Sequence, residues 1–331
     1  MTRIICPGAS GARILGTGAY RPSRVVTNEE VCGPIDSSDE WIRQRSGIVS
    51  RRFAGTDETV ISMAAAAASK AIAASGVSPA KLGMILLAST SYLHQTPSAA
   101  PQVARLIGAN TSGALDVHSA CAGFCYALGI ANSLVSTGTS EYVLVVGAEK
   151  MSDIIDPTDR STAFLFGDGA GAAVIGPADE PGIGPVIWGS DGSQAGLIAH
   201  TGSWLTVRDG TGEWPTMRMS GQEVYRWTLR EITPVAQRAI AAAGLTVDNL
   251  AAFVPHQANL RIIEAIAKSL GLPPHAAVAR TVETDGNTSA ASIPLALDQL
   301  TASGQVASGD LALLIGFGAG LSYAAQVVAL P

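Results

Sequence analysis

The sequence predicts an α/β fold made of two similar halves, and three observations indicate it. Continuous apolar runs bounded by turn residues alternate with helical segments, and such alternation is typical of α/β proteins. Most helical segments end in glycine, which helix C-termini prefer. The order and spacing of these elements in the first half return in the second. We therefore expect a structural duplication, with a seam near residues 176–184 that separates the halves 1–178 and 179–331.

In the first half, the helical segments cover residues 57–75, which end at Gly76, and residues 121–137, which end at Gly138. The strands are short apolar runs, as expected for strands buried on both faces. They are Met84–Ala88, Ala114–Val117, Tyr142–Val146 and Ala170–Ile175. A loop at Tyr92–Pro97 follows the first of them.

In the second half, helices are predicted over residues 221–243, 259–270 and 288–303, each followed by glycine. Pro234 predicts a kink or break in the first of these helices. The predicted strands are Ala251–Val254, Ala276–Thr281, Leu311–Ile315 and Tyr323–Leu330. Residues 189–220 have no counterpart in the first half, and together with Trp188 they carry three tryptophans and many glycines. We expect a flap over a site there.

Composition and charge exclude several classes of function. The net charge of −6 gives no general affinity for nucleic acid or for acidic membranes. No apolar stretch reaches the roughly 18 residues needed to span a bilayer, and Met1–Ser10 shows no secretory signal. The four cysteines form neither a C-x-x-C pair nor a four-ligand zinc spacing. We expect a cytoplasmic protein with reduced thiols, no membrane insertion and no metal.

Cys121 is the most informative residue. It follows an apolar run and a cluster of small residues, and it stands at the start of a helical pattern. Unpaired N–H groups and the helix dipole at such a position favour thiolate, which is the nucleophilic form of cysteine. The alternative is an inert, buried thiol, the commoner state of a free cysteine.

Two further segments resemble the setting of Cys121. They are residues 254–259, which carry His256, and residues 286–292, which carry Asn287. Both stand at predicted strand-to-helix turns. Each also has a plain alternative, since His256 could be a hydrogen-bonded structural residue and Asn287 a helix cap. The occurrence of all three residues at similar turns favours one shared site.

Together, the S-A-C-A-G-F, P-H-Q-A-N and G-N-T-S-A-A-S segments resemble the thiolase-fold condensing enzymes, and within them β-ketoacyl-[acyl-carrier-protein] synthase III. The resemblance covers nearly the whole chain. It implies a thiolase-like duplicated fold, with two βαβαβ halves in a five-layer α-β-α-β-α arrangement. It also implies a cytoplasmic homodimer.

The resemblance implies a decarboxylative Claisen condensation. Cys121 would take an acyl group from acyl-CoA, and malonyl-[acyl-carrier protein] would lose CO2 and attack the acyl-Cys121 thioester. His256 and Asn287 would donate hydrogen bonds to the developing oxyanion. The backbone N–H groups of Cys121 and Ala319 would form a second oxyanion hole. CoA thioester is a substrate here, and no cofactor is implied.

The resemblance also implies substrate contacts. Trp41, Arg45 and Arg160 would hold adenine and phosphates by stacking and charge, with Ser46 beside them where threonine is common. The pantetheine tunnel would be lined by Gly221, Tyr225, Ala258, Asn259 and Arg261. Carrier-protein contacts would come from Arg226, Arg261 and Lys268, with Arg230 a further candidate. For Trp41 alone, a partly buried surface aromatic is the alternative, and for the cations a solvated charge.

The chain departs from the family pattern at several positions. His118 either points into the site, where it could bias the Cys121 thiol, or is a core or interface imidazole. Asp285 could tune the local charge. Thr96 matches the position that closes the acyl pocket of the partner subunit, and its small size predicts longer or branched starter groups.

Other functions of the same fold remain alternatives. The same chemistry could prime a polyketide or other secondary-metabolite pathway, as a starter-unit ketosynthase or acyltransferase. Plain acyl transfer to an alcohol or amine is disfavoured, because such relatives usually lose the Asn or the Cys. A non-catalytic partner subunit is disfavoured because the nucleophile is present.

Overall fold

A computed structural model, which describes residues 11–331, contains two five-stranded sheets with the same strand order. From edge to edge, the first sheet consists of β1 (Gly11–Tyr20), β7 (Gly169–Ala178), β6 (Tyr142–Glu149), β4 (Leu82–Ala88) and β5 (Gly113–Val117). The second consists of β8 (Ile187–Ser190), β14 (Ser322–Ala329), β13 (Leu311–Gly318), β11 (Ala252–Pro255) and β12 (Ala277–Val278).

The strand directions also match. The first three strands of each sheet pair antiparallel, and the last three pair parallel. Numbered along the chain within each sheet, the strands lie in the order first, fifth, fourth, second and third. The expected duplication is therefore present in the topology, although the halves differ in sequence.

Ten helices surround and separate the sheets in the described chain. They are α1 (Asn28–Cys32), α2 (Asp39–Ser46), α3 (Val60–Ser75), α4 (Ala99–Leu106), α5 (Gly123–Ser136), α6 (Trp204–Arg208), α7 (Gly221–Ala242), α8 (Leu260–Leu270), α9 (Val282–Asp285) and α10 (Ser292–Ala302). Helices α5 and α10 pack between the two sheets in one shared core. Helices α3 and α4 cover the outer face of the first sheet, and α7 and α8 cover that of the second. The result is the expected five-layer arrangement.

Local sequence explains where the site-bearing helices begin and end. The Asn259 side chain accepts the Arg261 N–H and starts α8, while Gly271 ends it in the left-handed conformation with φ of 65°. Helices α5 and α10 begin differently. Each follows a 3₁₀ turn, over Ala120–Ala122 and Ser289–Ala291 respectively.

Several predicted boundaries were wrong. Helix α5 begins at Gly123 rather than at Cys121, because the chain first makes the 3₁₀ turn. Helix α7 continues through Pro234 without a break. The strand expected over residues 276–281 is only Ala277–Val278. Met1–Ser10, where no secretory signal is expected, and the thiol of Cys6 lie outside the described residues.

Residues 189–220 extend beyond the second sheet, since only Gly189 and Ser190 belong to its edge strand β8. The rest of this segment contains the antiparallel pair of β9 (Ile198–His200) and β10 (Met217–Met219), with α6 between them. A second small antiparallel pair consists of β2 (Val25–Thr27) and β3 (Ser50–Arg52). No helix in the part of the chain that the structure describes is long and apolar enough to cross a bilayer.

Candidate active site

One cavity of about 690 Å³ lies between the halves, where strands and turns of both sheets end. It is lined by most of the residues that the sequence singled out. These are Trp41, Arg45, Cys121, Arg160, Gly221, Tyr225, Arg226, His256, Ala258, Asn259, Arg261, Asn287 and Ala319. The β9–β10 pair adds a wall through Ile198, Met217 and Met219, as expected of a flap over a site.

Cys121 lies in the 3₁₀ turn between β5 and α5 and is partly accessible from the cavity. Ala120, just before it, has a left-handed φ of 43°, so the backbone bends sharply there. Strand β13 passes so close that a Cβ atom at Gly318 would lie 2.8 Å from Cys121 Sγ. Only glycine leaves room for the thiol at this position.

The Cys121 thiol is neutral at rest. Burial raises its pKa to about 12, although the hydrogen bond between the thiol and Ser289 Oγ and the hydrogen bonds from the N–H groups of Cys121 and Ala319 act in the opposite direction. The expectation of a thiolate at this position is therefore wrong. The N–H groups do lower the pKa of Cys121, but desolvation raises it by more. The same two N–H groups are those expected to form an oxyanion hole, and they lie beside the sulfur.

His256 follows β11 and is buried against Phe317, with ring centroids 5.4 Å apart. Its Nδ1 lies 2.7 Å from Ser292 Oγ, which also accepts the Gln257 N–H at 3.3 Å. The Ser292 proton can therefore point to Nδ1, which places the imidazole proton on Nε2. Burial lowers the pKa of His256 to about 3, so the ring is a neutral hydrogen-bond donor.

Asn287 is held by the backbone on both sides. Its N–H donates to the Leu165 carbonyl at 2.8 Å, and its carbonyl accepts the Gly167 N–H at 3.0 Å. The side-chain Oδ1 accepts the Ser289 N–H at 2.9 Å, which leaves the Nδ2 donors for the cavity. Asn287 is thus not the cap of α10, whose N-cap residue is Ala291.

The outer part of the cavity is aromatic and basic. The guanidinium groups of Arg160 and Arg45 lie 5.1 and 5.9 Å from the centre of the Trp41 ring. Arg261 lies 5.7 Å from the Tyr225 ring. These planar groups suit a heteroaromatic base and phosphates.

Three residues expected at the site do not line the cavity. Ser46 is buried within α2 and donates to the Ile42 carbonyl at 2.7 Å, so its hydroxyl is used by its own helix. Thr96 lies on an exposed loop, and Lys268 on the exposed face of α8. Arg230, the further basic candidate, pairs with Glu231 at 2.6 Å.

Two unusual residues near the site have other partners. His118 is exposed and lies outside the cavity lining, near His200. The Asp285 carboxylate accepts from Arg21 Nε at 2.7 Å, so its charge is paired away from the thiol. The main causes of the raised pKa of Cys121 lie elsewhere, in its burial and in the groups nearest the sulfur.

Sequence reasoning missed three polar residues around the site, namely Glu149, Ser289 and Ser292. Glu149 is a lone acidic residue at the carboxyl end of an apolar parallel strand, where functional residues of α/β sheets often lie; this signal could have found it. The two serines belong to the quoted G-N-T-S-A-A-S segment, but its pattern does not show which hydroxyl faces which group. Within residues 11–331, no cluster of three or more His, Cys, Asp or Glu side chains could hold a metal ion.

Comparison with known proteins shows which family of enzymes this chain is similar to. A family profile described as 3-oxoacyl-[acyl-carrier-protein] synthase III matches residues 115–192, and a profile of the C-terminal part of that family matches residues 240–330. The chain is 50% identical to β-ketoacyl-[acyl-carrier-protein] synthase III 1 of Streptomyces coelicolor, over 98% of each chain.

Solved structures show the same likeness. The priming β-ketosynthase of the R1128 polyketide biosynthetic pathway superposes with a TM-score of 0.98 at 49% identity, over 100% of this chain and 99% of that one. The 3-oxoacyl-[acyl-carrier-protein] synthase III of Aquifex aeolicus superposes with a TM-score of 0.89 at 38% identity, over 96% and 100% of the two chains.

Proposed function

The chain belongs to the β-ketoacyl-[acyl-carrier-protein] synthase III family, and we propose that Cys121, His256 and Asn287 carry out its reaction. The enzyme is an acyltransferase that condenses an acyl-CoA starter with malonyl-[acyl-carrier protein], and the reaction initiates fatty-acid synthesis. The products are 3-oxoacyl-[acyl-carrier protein], CoA and CO2. The observation that supports the residue roles is the convergence of these three side chains, from both halves, in one cavity.

In the first half-reaction, the Cys121 sulfur attacks the acyl-CoA carbonyl. The new C–S bond forms, negative charge develops on the carbonyl oxygen, and the N–H groups of Cys121 and Ala319 stabilise it. Both already lie within hydrogen-bonding reach of the sulfur. When the tetrahedral intermediate collapses, the bond to the CoA sulfur breaks, CoA leaves as a thiol with a proton in place of the one that Cys121 lost, and the acyl group stays on Cys121.

In the second half-reaction, the malonyl group loses CO2 and becomes an enolate. His256 Nε2–H and the Asn287 amide donate to the enolate oxygen, and the enolate carbon attacks the acyl-Cys121 thioester. The acyl C–S bond then breaks, the 3-oxoacyl product leaves on the carrier protein, and the Cys121 sulfur takes up a proton. A neutral imidazole suits this role, because its Nε2–H can stabilise the enolate oxygen without being transferred to it during the reaction. The low pKa of His256 and its fixation by Ser292 support it.

The outer cavity gives the route for the two substrates. Trp41, Arg45 and Arg160 hold the adenine end of CoA, while Gly221, Tyr225, Ala258, Asn259 and Arg261 line the path of the pantetheine arm. The chemistry needs no cofactor beyond the CoA substrate. Arg226 and Arg261 at the cavity mouth, with Lys268 farther along α8, face the acidic carrier protein.

We further propose a cytoplasmic homodimer, with halves divided at residues 178 and 179. Strand β5 is the edge of its sheet, and it carries Leu115, which is 49% exposed. Helix α4, which packs on that strand, ends at Leu106, which is 57% exposed. An exposed edge with apolar side chains suits pairing with a second copy. That dimer would bring the Thr96 loop toward the cavity of its partner, where a small residue leaves room for longer or branched starters.

The priming of a polyketide pathway is the second candidate. It is favoured by the likeness to the R1128 priming ketosynthase. The two roles share one chemistry and differ in the acyl group and carrier protein that are used.

Mass spectrometry of the intact protein tests the proposal. After incubation with acetyl-, butyryl- or isobutyryl-CoA, we expect one acyl group on Cys121, which malonyl-[acyl-carrier protein] then removes with release of CO2. Absence of the adduct in wild-type protein would overturn the proposal. An adduct without CO2 release would indicate plain acyl transfer, and acetyl-CoA turning over as well as the longer starters would contradict the role of Thr96.

A further inference from the structure

The oxyanion hole of the proposed acyl transfer is shared between the two halves. One donor, the Cys121 N–H, stands on the 3₁₀ turn that follows β5, and the other, the Ala319 N–H, stands on the turn that follows β13. The two turns touch, since a Cβ atom at Gly318 would lie 2.8 Å from the Cys121 sulfur. Because the turns belong to different halves, the spacing of the two donors depends on the contacts that hold these turns together.

Two serine hydroxyls join the turns beside this hole. Ser119, two residues before the nucleophile, donates from its Oγ to Ser322 Oγ at 3.3 Å. The Ser322 hydroxyl in turn donates to the Ala319 carbonyl at 3.0 Å. Ser322 is buried and Ser119 is half-buried. Because the Ser322 proton points to Ala319, its oxygen can accept from Ser119, and each hydrogen bond of such a chain polarises and strengthens the other.

The other supports of the turn after β13 come from the second half. The turn spans residues 319–321 and is closed where β13 and β14 pair. Leu321 exchanges backbone hydrogen bonds with Asp191 at 2.7 and 3.1 Å. The Ser119 hydroxyl, in contrast, comes from the first half. Through Ser322 it reaches the residue that carries the second donor.

Local structure does not account for the direction of the Ser119 side chain. Ser119 is the N-cap residue of the 3₁₀ turn, where a serine hydroxyl usually accepts a backbone N–H of the same turn. Its side chain makes no such capping hydrogen bond. Its backbone carbonyl accepts the Ala122 N–H at 3.1 Å, while the hydroxyl turns to the opposite half. The hydroxyl therefore serves the contact between the halves rather than the turn that carries it.

We propose that Ser119 and Ser322 are positioning residues that hold the Ala319 N–H in place for the oxyanion, an inference that rests on the proposed acyl transfer. The carbonyl and the N–H of Ala319 flank the same Cα atom, so an anchored carbonyl restrains rotation of the N–H. A donor stabilises the developing negative charge only while it keeps its position. No proton moves along the two hydroxyls, and they act on the reaction through the position of Ala319 alone.

The first test compares acylation with alkylation in Ser322→Ala. Single-turnover acylation by saturating acyl-CoA should slow about tenfold, a part of the 10²- to 10³-fold loss that follows removal of an oxyanion donor. The acyl-CoA concentration at half-maximal rate should stay within twofold, because the lost effect belongs to the transition state. Iodoacetamide should alkylate Cys121 at the wild-type rate, since displacement of iodide builds no carbonyl oxyanion. Acylation and alkylation that fall together would overturn the proposal.

Ser119 provides the second test, and its half-buried position keeps the proposal testable if Ser322→Ala does not fold. Ser119→Ala should slow acylation about three- to fivefold, within the usual effect of one hydrogen bond, while Ser119→Thr, which keeps the hydroxyl, should acylate at the wild-type rate. Because Ser119 acts through Ser322, the double alanine variant should be no slower than Ser322→Ala. Losses that multiply, or a threonine variant as slow as the alanine variant, would contradict a chain in series.

Ser133→Ala is the matched control. Its hydroxyl also donates to a backbone carbonyl, that of Gly129 at 3.1 Å, but within α5, so we expect acylation and alkylation at the wild-type rates. The same assay separates the two proposals. Wild-type protein that is never acylated overturns the proposed function, while Ser119 and Ser322 variants that are acylated as fast as an active wild type overturn only the positioning role.

Discussion

The two halves of the molecule make the same turn and use it differently. In the first half, Ala120 bends the chain in the left-handed region and Cys121 follows; in the second half, Ser289 bends it and Ala290 follows. The first turn packs against β13 of the second sheet, and the second turn packs against β6 of the first sheet. A Cβ atom at Gly147 of β6 would lie 2.2 Å from the Ala290 carbonyl oxygen, and one at Gly316 of β13 would lie 3.1 Å from that of Cys121.

The difference between the halves lies two residues farther along those strands. Gly318 of β13 leaves room for the Cys121 sulfur, whereas Glu149, the matching residue of β6, accepts the Ala290 N–H at 3.3 Å. A duplicated scaffold thus provides two equivalent turns. One carries the nucleophile, and the other is anchored by a carboxylate and holds Asn287 and Ser289 beside that nucleophile.

The largest expected effect separates the chemical roles of the halves. Cys121→Ala should abolish acyl-adduct formation while malonyl-[acyl-carrier protein] is still decarboxylated, because its hydrogen-bond donors remain. His256→Ala or Asn287→Ala should keep acylation and lower condensation by about 10²- to 10³-fold, as for the loss of one oxyanion donor. Mass spectrometry and CO2 release measure the two steps. Loss of acylation in His256→Ala would contradict this division.

Glycine substitutions test the matching turn contacts. Gly147→Ala places a methyl group against the backbone of the opposite half, and we expect the free energy of unfolding to fall by about 3 kcal/mol or more, at or above the usual cost of overpacking. Gly318→Ala meets the Cys121 side chain and should mainly slow acylation and alkylation. Chemical denaturation and thiol labelling measure these effects.

Gly192→Ala is the control for both, since a Cβ atom there meets nothing within 4 Å. Equal stability of Gly147→Ala and Gly192→Ala would show that the turns are not held by this contact.

Low pH should lower the stability of the fold through His256 in the second half, and high pH should lower it through Cys121 in the first half. His256 has a pKa of about 3 instead of 6.5, so below pH 6.5 the unfolded chain binds a proton that the folded chain does not, and stability falls by about 1.4 kcal/mol per pH unit. Cys121 has a pKa of about 12 instead of 9.0, so stability falls as the pH rises above 9.0. Denaturation across pH should show a flatter acid limb in His256→Gln and a flatter alkaline limb in Cys121→Ala; unchanged slopes would refute these assignments.

The smallest expected effect lies at the cavity mouth. Arg160→Ala removes one of the two guanidinium groups over Trp41, which is worth about 0.5–1 kcal/mol at an exposed site. We expect KM for acyl-CoA to rise about two- to fivefold with kcat nearly unchanged. Arg230→Ala is the control, because that side chain pairs with Glu231. A fall in kcat alone would place Arg160 in the chemistry rather than in binding.

Much of the fold and of the site could be predicted from sequence because the signals are local. A buried strand, a turn of small residues and a helix recur around Cys121 and Asn287, and His256 follows a strand in the same way. The family resemblance then predicted that these turns meet in one active site. The continuous helix through Pro234, the burial of the Ser46 hydroxyl and the exposure of His118 could not be predicted, since each depends on neighbours that are distant in the chain.

The sequence established the nucleophile, its two companions and the duplicated α/β plan, because residue type and spacing suffice for them. Only the tertiary structure decided the protonation states and the partners. Desolvation of Cys121 outweighs the helix N-terminus, and it arises where segments of both halves close over the sulfur. Glu149 and Ser289 lie 140 residues apart in sequence, so no local pattern could place the carboxylate behind the thiol; packing of the two halves does so.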